Sequence, residues 1–377
     1  MTPRFPESAH ERAARLTGMV RRLGGGAAAN LESTASSGLP SPSVLQKRIA
    51  QRLAAAASDT PRAMIDALAT AKAEAGHALA ARLIHREVGI EELPDESLAN
   101  LEAVIRVADR PAWFVRKDVP QTEAGSSAGE NEFWVVLISN AGRALSQACG
   151  RIGCLMKQDS GGRTPVGTAW VIGPRTIATN AHVASHLTMR RPVAAPGDPR
   201  GGWRLRPDTT GFVDFAFEND VDRHASFQIT QVLYVETAQD PDIAIFRIDE
   251  NGPPPSALAL DLTAHRSTGW TDAAIFAVGH PIADANDDRN VAVVFGRLDG
   301  TKRISPGKVT GLLGGVLTHD CSTTNGSSGS PLIDFATLKA VGLHYFGKPG
   351  DRNEAVFLPA IADHRAIVKS VAGGWST

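Results

Sequence analysis

Apolar positions recur along the chain in two rhythms. Over the first 112 residues they return every three or four positions: Leu16, Val20 and Leu23; Leu45, Ile49 and Leu53; Met64, Leu68, Ala71, Ala75, Leu79 and Leu83; Leu98, Leu101 and Ile105. That period lays side chains along one face of a helix, so four helices are expected. Ser8 and Glu11 form an S-x-x-E capping box before the first, and Gly24 to Gly26 end it. Thr60 and Pro61 precede the third helix, Pro94 and Asp95 open the fourth, and Pro111 closes it. Between the first two lies a Gly/Ala/Ser/Pro tract, residues 24–43, which holds too little apolar surface to order itself and is expected to be a flexible loop.

From about Ala112 the helical spacing gives way to short β-rich runs separated by Gly, Pro, Asn and Asp. The clearest are Trp134 to Ser139, Val166 to Ile172, Phe227 to Val235, Ile243 to Ile248, Ala273 to Val278, Val291 to Phe295 and Val341 to Tyr345. Many short strands with few helical windows between them predict a mainly β barrel or sandwich rather than a parallel α/β sheet. Residues 191–202 and 281–290 read as long surface loops.

Composition narrows the function classes. With 377 residues, 42% of them hydrophobic, the chain is not disordered throughout, and a net charge of -1 gives no reason to expect nucleic acid as the partner. The balance is local: 12 Lys+Arg against 6 Asp+Glu over residues 1–86, 4 against 11 over 87–132, and 23 against 23 beyond. No run of eighteen apolar residues predicts a membrane span. Cys149, Cys154 and Cys321 make no disulfide framework, and no secretory signal is recognisable, so a reduced, cytoplasmic location is expected.

Three short motifs carry the candidate chemistry. Asn325 to Pro331, N-G-S-S-G-S-P, places Ser328 between glycines before a strand-like Leu332–Ile333. A serine that attacks a carbonyl needs its Oγ exposed on a tight turn whose backbone N–H groups point at the forming oxyanion, and glycine permits both; a plain Gly/Ser turn is the alternative. The hydrolase elbow G-x-S-x-G does not fit, because Ser330 takes the final glycine's place and no helix pattern follows. Upstream, Gly167 to Ile172 leads to T-N-A-H-V ending at His182–Val183. His186 lies four residues on, but a zincin helix needs Glu where this chain has Val183, so no metal is expected. The third motif, Asp242-Ile-Ala-Ile, sets a carboxylate at the mouth of an apolar strand, where burial demands a partner such as an imidazole N–H. Asp240 competes for that role, and Asp242 is preferred because it abuts the strand.

The order His182, Asp242, Ser328 separates this pattern from subtilisin-like and α/β-hydrolase triads. Together T-N-A-H-V, D-I-A-I and G-S-S-G-S-P resemble the trypsin-like serine peptidases of the chymotrypsin fold. The resemblance covers roughly residues 148–377, so the chain divides into a helical part, 1–112, and a peptidase part with its lead-in, 113–377. It implies a chymotrypsin-like double β-barrel preceded by helices, needing no cofactor and acting on protein or peptide. It also implies His182 as general base, Asp242 as its orienting carboxylate, Ser328 as nucleophile, and the N–H groups of Gly326 and Ser328 as the oxyanion hole. The primary pocket falls to Ser322, Thr323 and His344. Ser322 stands where trypsin has an aspartate, while Thr323 and the G-L-H segment ending at His344 are similar to bacterial glutamyl endopeptidases, which implies cleavage after Glu. Helical attachments of this kind resemble those of cytoplasmic bacterial stress or defence effectors, so residues 1–112 are expected to recruit a partner or restrain the enzyme. A catalytically silent binding module that keeps the fold is the competing class.

Overall fold

Strands that are apolar on both faces need cover on both sides, and the β-rich part of the chain meets this need by closing into two antiparallel barrels that pack on each other. The computed structural model describes residues 11, 15–17, 19–20, 40–56, 60–85, 87–89, 93–122, 132–190, 202–236, 241–263, 266–284, 289–347 and 352–375. A short hairpin, β1 (Trp113–Arg116) and β2 (Val119–Pro120), leads in. The first barrel comprises β3 (Ile152–Asp159), β4 (Gly162–Gly173), β5 (Thr176–Thr179), β8 (Thr210–Asp214), β9 (Ser226–Val235) and β10 (Ala244–Ile248), with a hairpin of β6 (Thr188–Arg190) and β7 (Trp203–Leu205) beside it. It closes in the order β10-β5-β4-β3-β8-β9.

The second barrel comprises β11 (Ala274–Gly279), β12 (Arg303–Leu313), β13 (Val316–His319), β14 (Pro331–Asp334), β15 (Ala340–Phe346) and β16 (Asn353–Phe357). It runs β11-β14-β15-β16-β13-β12, and β12 returns to pair with β11. β1 adds to its outer edge, Trp113 opposite Ile304. Side-chain alternation divides the burial: Ala169, Val171, Ala244 and Phe246 fill the first barrel, while Trp170 and Ile245 from the same strands join Phe276, Val278, Ile333 and Leu343 in the core between the barrels. This is why V-G-T-A-W-V-I and D-I-A-I-F read as continuous apolar runs.

The N-terminal helices are α1 (Pro42–Ala56), α2 (Arg62–Ile84) and α3 (Asp95–Asp109). α1 buries Leu45, Ile49 and Leu53, and α3 buries Leu101 and Ile105, as their spacing predicts. The apolar face expected of α2 packs inward only toward its C-terminal end, where Leu79 and Leu83 lie against the helical core; Met64 and Leu68 are exposed, and Ile65, Ala69, Ala73 and Ala80 are buried beside them. Small residues win that face because α3 comes close; a Cβ on Gly76 would lie 2.3 Å from Val104 Cγ2. α1 begins at Pro42, inside the tract expected to be a loop; the rest of that tract, Ser8 and Leu23 lie outside the described residues.

Two expected strands are helices. Trp134 to Ser139 belongs to α4 (Glu132–Cys149), which kinks at Gly142; Trp134 and Ile138 before the kink, and Leu145 and Ala148 after it, face the core at helical spacing. Val291 to Phe295 belongs to α6 (Arg289–Phe295), which follows a one-turn α5 (Ala181–Ala184) in the chain and precedes α7 (Arg365–Val371). Unbroken apolar runs of five or six residues fit either secondary structure, and here tertiary burial chose helix. α6 inserts Val291, Val294 and Phe295 into the core of α1, α2 and α3, so the helical part is completed by residues from the β11–β12 connection. Among the described residues no helix is long and apolar enough to cross a membrane.

Candidate active site at the barrel junction

The antiparallel register of β5 and β10, Thr179 opposite Ala244, carries residue 242 alongside residues 181–182. Asn180 Nδ2 donates to the Asp242 carbonyl at 2.9 Å and fixes the crossing. His182 then sits on the single turn of α5, where its backbone N–H donates to Asp242 Oδ1 at 3.1 Å and its Nδ1 lies 2.6 Å from Asp242 Oδ2. The Asp242 side chain is 8% exposed and the His182 ring 31%. A buried carboxylate bonded to Nδ1 selects the tautomer with the proton there, leaving Nε2 an acceptor toward solvent. Asp240 lies outside the described residues.

Ser328 stands on a double turn between Thr324 and Pro331, closed by Ser327 N to Thr324 O at 2.9 Å and Ser330 N to Ser327 O at 3.0 Å. Both barrels hold this turn. From β4, Thr168 N donates to Ser328 O and Thr168 Oγ1 to Gly326 O, each at 2.9 Å. From the second barrel, Ile282 N donates to Asn325 O at 2.8 Å, Gly329 N to His344 O and His344 N to Ser330 O, both at 2.9 Å. With the Asn325 carbonyl tied to Ile282, the N–H of Gly326 on the same peptide points the other way. The N–H groups of Gly326 and Ser328 have no acceptor among the described residues. Gly326 adopts φ +79, and a Cβ there would lie 2.3 Å from the His280 carbonyl.

Gly167 packs between the two halves of the site: a Cβ on it would meet Val183 Cγ1 at 2.7 Å and Ser328 O at 3.2 Å. Ser328 Oγ donates to the Tyr345 carbonyl at 3.5 Å and makes no hydrogen bond to His182.

Behind the serine, His344 is buried, and its Nδ1 lies 3.1 Å from Nε2 of His319, also buried. Burial pushes His319 down to about 3, and burial, with the neighbouring His319 and His182 imidazoles opposing a further positive charge, pushes His344 well below the ordinary imidazole range. Both rings are therefore neutral at pH 7, with one proton between the facing nitrogens. Thr323 Oγ1 is buried with no hydrogen-bond partner among the described residues, and Gly347 leaves it room, since a Cβ there would lie 2.4 Å away. Ser322 is turned aside, its Oγ donating to the Arg110 carbonyl at 2.6 Å.

The structure thus brings together His182 and Asp242 by hydrogen bonding, places Ser328 and Gly326 on one turn, and bonds His344 to that turn, whereas Thr323 lines a cavity with Glu102, Arg106, Val291 and Phe295. Sequence reasoning passed over Thr168, Ile282 and His319. Thr168 stands in the apolar G-T-A-W-V-I run, Ile282 acts through its backbone, and His319 ends a strand with no motif around it, so only pairing in space reveals them.

The sequence profile of the trypsin-like peptidase domain matches residues 167–343. The chain is 26% identical to a probable serine protease of Lysobacter enzymogenes over 294 residues, 71% of this chain and 74% of that one. It is also 26% identical to a glutamyl endopeptidase of Staphylococcus aureus (strain MW2) over 196 residues, 52% of this chain, and spans about half of that relative's length, 51%. A solved structure of Rv3671c from Mycobacterium tuberculosis H37Rv, in an inactive mutant form, aligns with 62% of this chain and 93% of its own at 17% identity and a TM-score of 0.37. The profile match, the serine protease relatives and the two closed six-stranded barrels agree: the chain carries a trypsin-like serine peptidase domain of the chymotrypsin fold, and it is a hydrolase.

Proposed function

We propose that the protein is an endopeptidase in which His182, Asp242 and Ser328 form the catalytic triad. The observation that carries this reading is the 2.6 Å bond from His182 Nδ1 to the buried Asp242, together with a glycine turn whose Gly326 and Ser328 N–H groups have no acceptor among the described residues. His182 Nε2 takes the Ser328 Oγ proton as the oxygen attacks the scissile carbonyl. The C–O bond forms, the carbonyl electron pair moves onto oxygen, and the N–H groups of Gly326 and Ser328 receive that oxyanion. The imidazolium returns the proton to the leaving amine, and water repeats the sequence to free the acyl group. Asp242 holds the tautomer and stabilises the imidazolium without taking its proton.

The P1 side chain is read as Glu. His344 and Thr323 supply imidazole and hydroxyl donors suited to a carboxylate, and the similarity to glutamyl endopeptidases supports it. Because both pocket histidines are neutral in the free enzyme, selectivity rests first on hydrogen bonding. An arriving carboxylate favours protonation of His344, which adds charge only when the right substrate binds. Residues 1–112 are read as a controlling region of this site rather than an independent appendage, since their core includes α6. A panel of otherwise identical peptides varied at P1 tests the specificity: kcat/KM highest for Glu supports it, and equal cleavage after Glu, Gln and Leu rejects it. Hydrolysis of no peptide, with Ser328 unreactive, favours the silent binding module.

A further inference from the structure

The end of α3 is bonded to three consecutive residues that lead into the nucleophile turn. Arg110 Nε and Nη2 donate to Asp320 Oδ1 and Oδ2, both at 2.8 Å, and both side chains are 1–2% exposed. Arg106 Nη1 donates to the Cys321 carbonyl at 3.3 Å, and the Ser322 hydroxyl closes on the Arg110 carbonyl at 2.6 Å. Arg110 is itself held: its Nη1 donates to Asp109, its guanidinium lies over the Trp134 ring at 5.3 Å, and Trp134 Nε1 donates to Asp109 O at 2.8 Å. On the other side Asp320 accepts from Lys308 N at 2.6 Å.

The held segment has no slack on either side. His319, one residue before Asp320, bonds His344. Thr324, two residues after Ser322, accepts from Ser327 N on the nucleophile turn. A shift at 320–322 therefore moves both the pocket imidazole pair and the turn carrying the oxyanion donors. A bidentate Arg–carboxylate pair is suited to this because it fixes orientation as well as distance. If cover of the barrel were its only role, apolar side chains would serve as well without the cost of burying two charges.

We propose that Arg110 is a positioning residue for the peptidase reaction: its two-point bond to Asp320, with Ser322 closed on its carbonyl, holds residues 320–324 so that the pocket and the oxyanion turn are set by the N-terminal region. The inference rests on the reading of Ser328 as nucleophile, and it makes the end of α3 a working part of the enzyme. Sequence reasoning placed control in residues 1–112 without a contact; this names one.

The test uses the full chain as wild type, Arg110→Lys, which keeps the charge but loses the two-point bond, and Ser322→Ala, which removes only the hydroxyl. Hydrogen–deuterium exchange is followed in peptides covering 318–330, with peptides of the first barrel, 152–179, as internal reference. The expected result for Arg110→Lys is exchange at least about tenfold faster in 318–330 with 152–179 unchanged, and a loss of about 10²-fold in kcat/KM toward a Glu-P1 peptide, the cost of misplacement near 1 Å. Ser322→Ala changes both in the same direction by less. Exchange in 318–330 within twofold of wild type, or faster exchange with unchanged kcat/KM, overturns the proposal. Should Arg110→Lys not fold, Ser322→Ala decides by the same two readouts. A wild-type chain whose Ser328 never reacts with a fluorophosphonate removes the peptidase reading itself, a result distinct from wild type and Arg110→Lys turning over equally.

Discussion

Replacing Gly326 by alanine tests the oxyanion turn with one methyl group. Gly326 adopts φ +79, a conformation that costs an L residue about 1–2 kcal/mol. The added Cβ would lie 2.3 Å from the His280 carbonyl oxygen, 2.9 Å from Ile282 Cγ1 and 3.0 Å from Ile282 N. Two of those three atoms are backbone, so the turn must yield, and roughly 1 Å of movement restores ordinary van der Waals separation. That movement pulls Asn325 O from Ile282 N, the 2.8 Å bond that orients the Gly326 peptide. Loss of one oxyanion donor costs about 10²–10³ in kcat, or about 3–4 kcal/mol of transition-state stabilisation. The expected outcome for Gly326→Ala is a kcat fall of that size with KM changed by less than about fivefold, because the donor acts on charge that develops after binding. Steady-state hydrolysis of a fluorogenic peptide measures both constants. Ser327→Ala is the control: it removes only a hydroxyl that accepts from Thr324 N at 3.3 Å, and its kcat is expected within about threefold of wild type. A folded Gly326→Ala chain with wild-type kcat would refute the assignment of its N–H to the oxyanion hole.

Three further outcomes follow from burial. His319 is held at about 3 by burial, with His280 and His344 displaced in the same direction. The unfolded chain takes up those protons first as pH falls, so stability is intact above about pH 6.5 and declines toward pH 3; at pH 5.5 His319 accounts for a loss on the order of 1 kcal/mol. Thermal melts at pH 7.5 and 5.5 check this, and an equal or higher midpoint at pH 5.5 contradicts it. Burial also pushes the Cys149 thiol up to about 12 and raises Cys154 and Cys321; all three are expected to resist a thiol reagent in the native chain and to react after unfolding. On α2, Ile65→Ala is expected to cost about 2–5 kcal/mol in a denaturant titration, while Met64→Ala, on the exposed face, is expected within about 0.5 kcal/mol of wild type; reversed magnitudes would show that the buried face is misassigned.

How much was legible in the sequence depended on whether a neighbour in the chain or a neighbour in space decided the outcome. The turn carrying Ser328, the T-N-A-H-V segment and D-I-A-I are local devices: a glycine that must take positive φ, a strand ending on one helical turn, a carboxylate beside an apolar strand. The two-sided burial of β4 and β10 was legible as unbroken apolar runs. Periodicity failed where packing chose against size, as on α2, whose alanines and Gly76 let α3 approach and left Met64 and Leu68 exposed. It failed again where an apolar run was too short to show its period, as in α4 and α6. The resemblance to trypsin-like peptidases implies a pocket role for Ser322, and the structure adds a bond from its hydroxyl to the carbonyl of Arg110, 212 residues away. No local pattern encodes that bond, nor the pairing of His319 with His344.

The most direct test is the chemical identity of the nucleophile. Full-length protein is treated with a fluorophosphonate, and the adduct is located by peptide mass spectrometry, with Ser328→Ala and His182→Ala treated in parallel. Stoichiometric modification at Ser328 alone is expected, absent from Ser328→Ala and slowed by about 10³-fold or more in His182→Ala. Folded wild-type protein that stays unmodified, or carries the adduct on another residue, would contradict the triad of His182, Asp242 and Ser328.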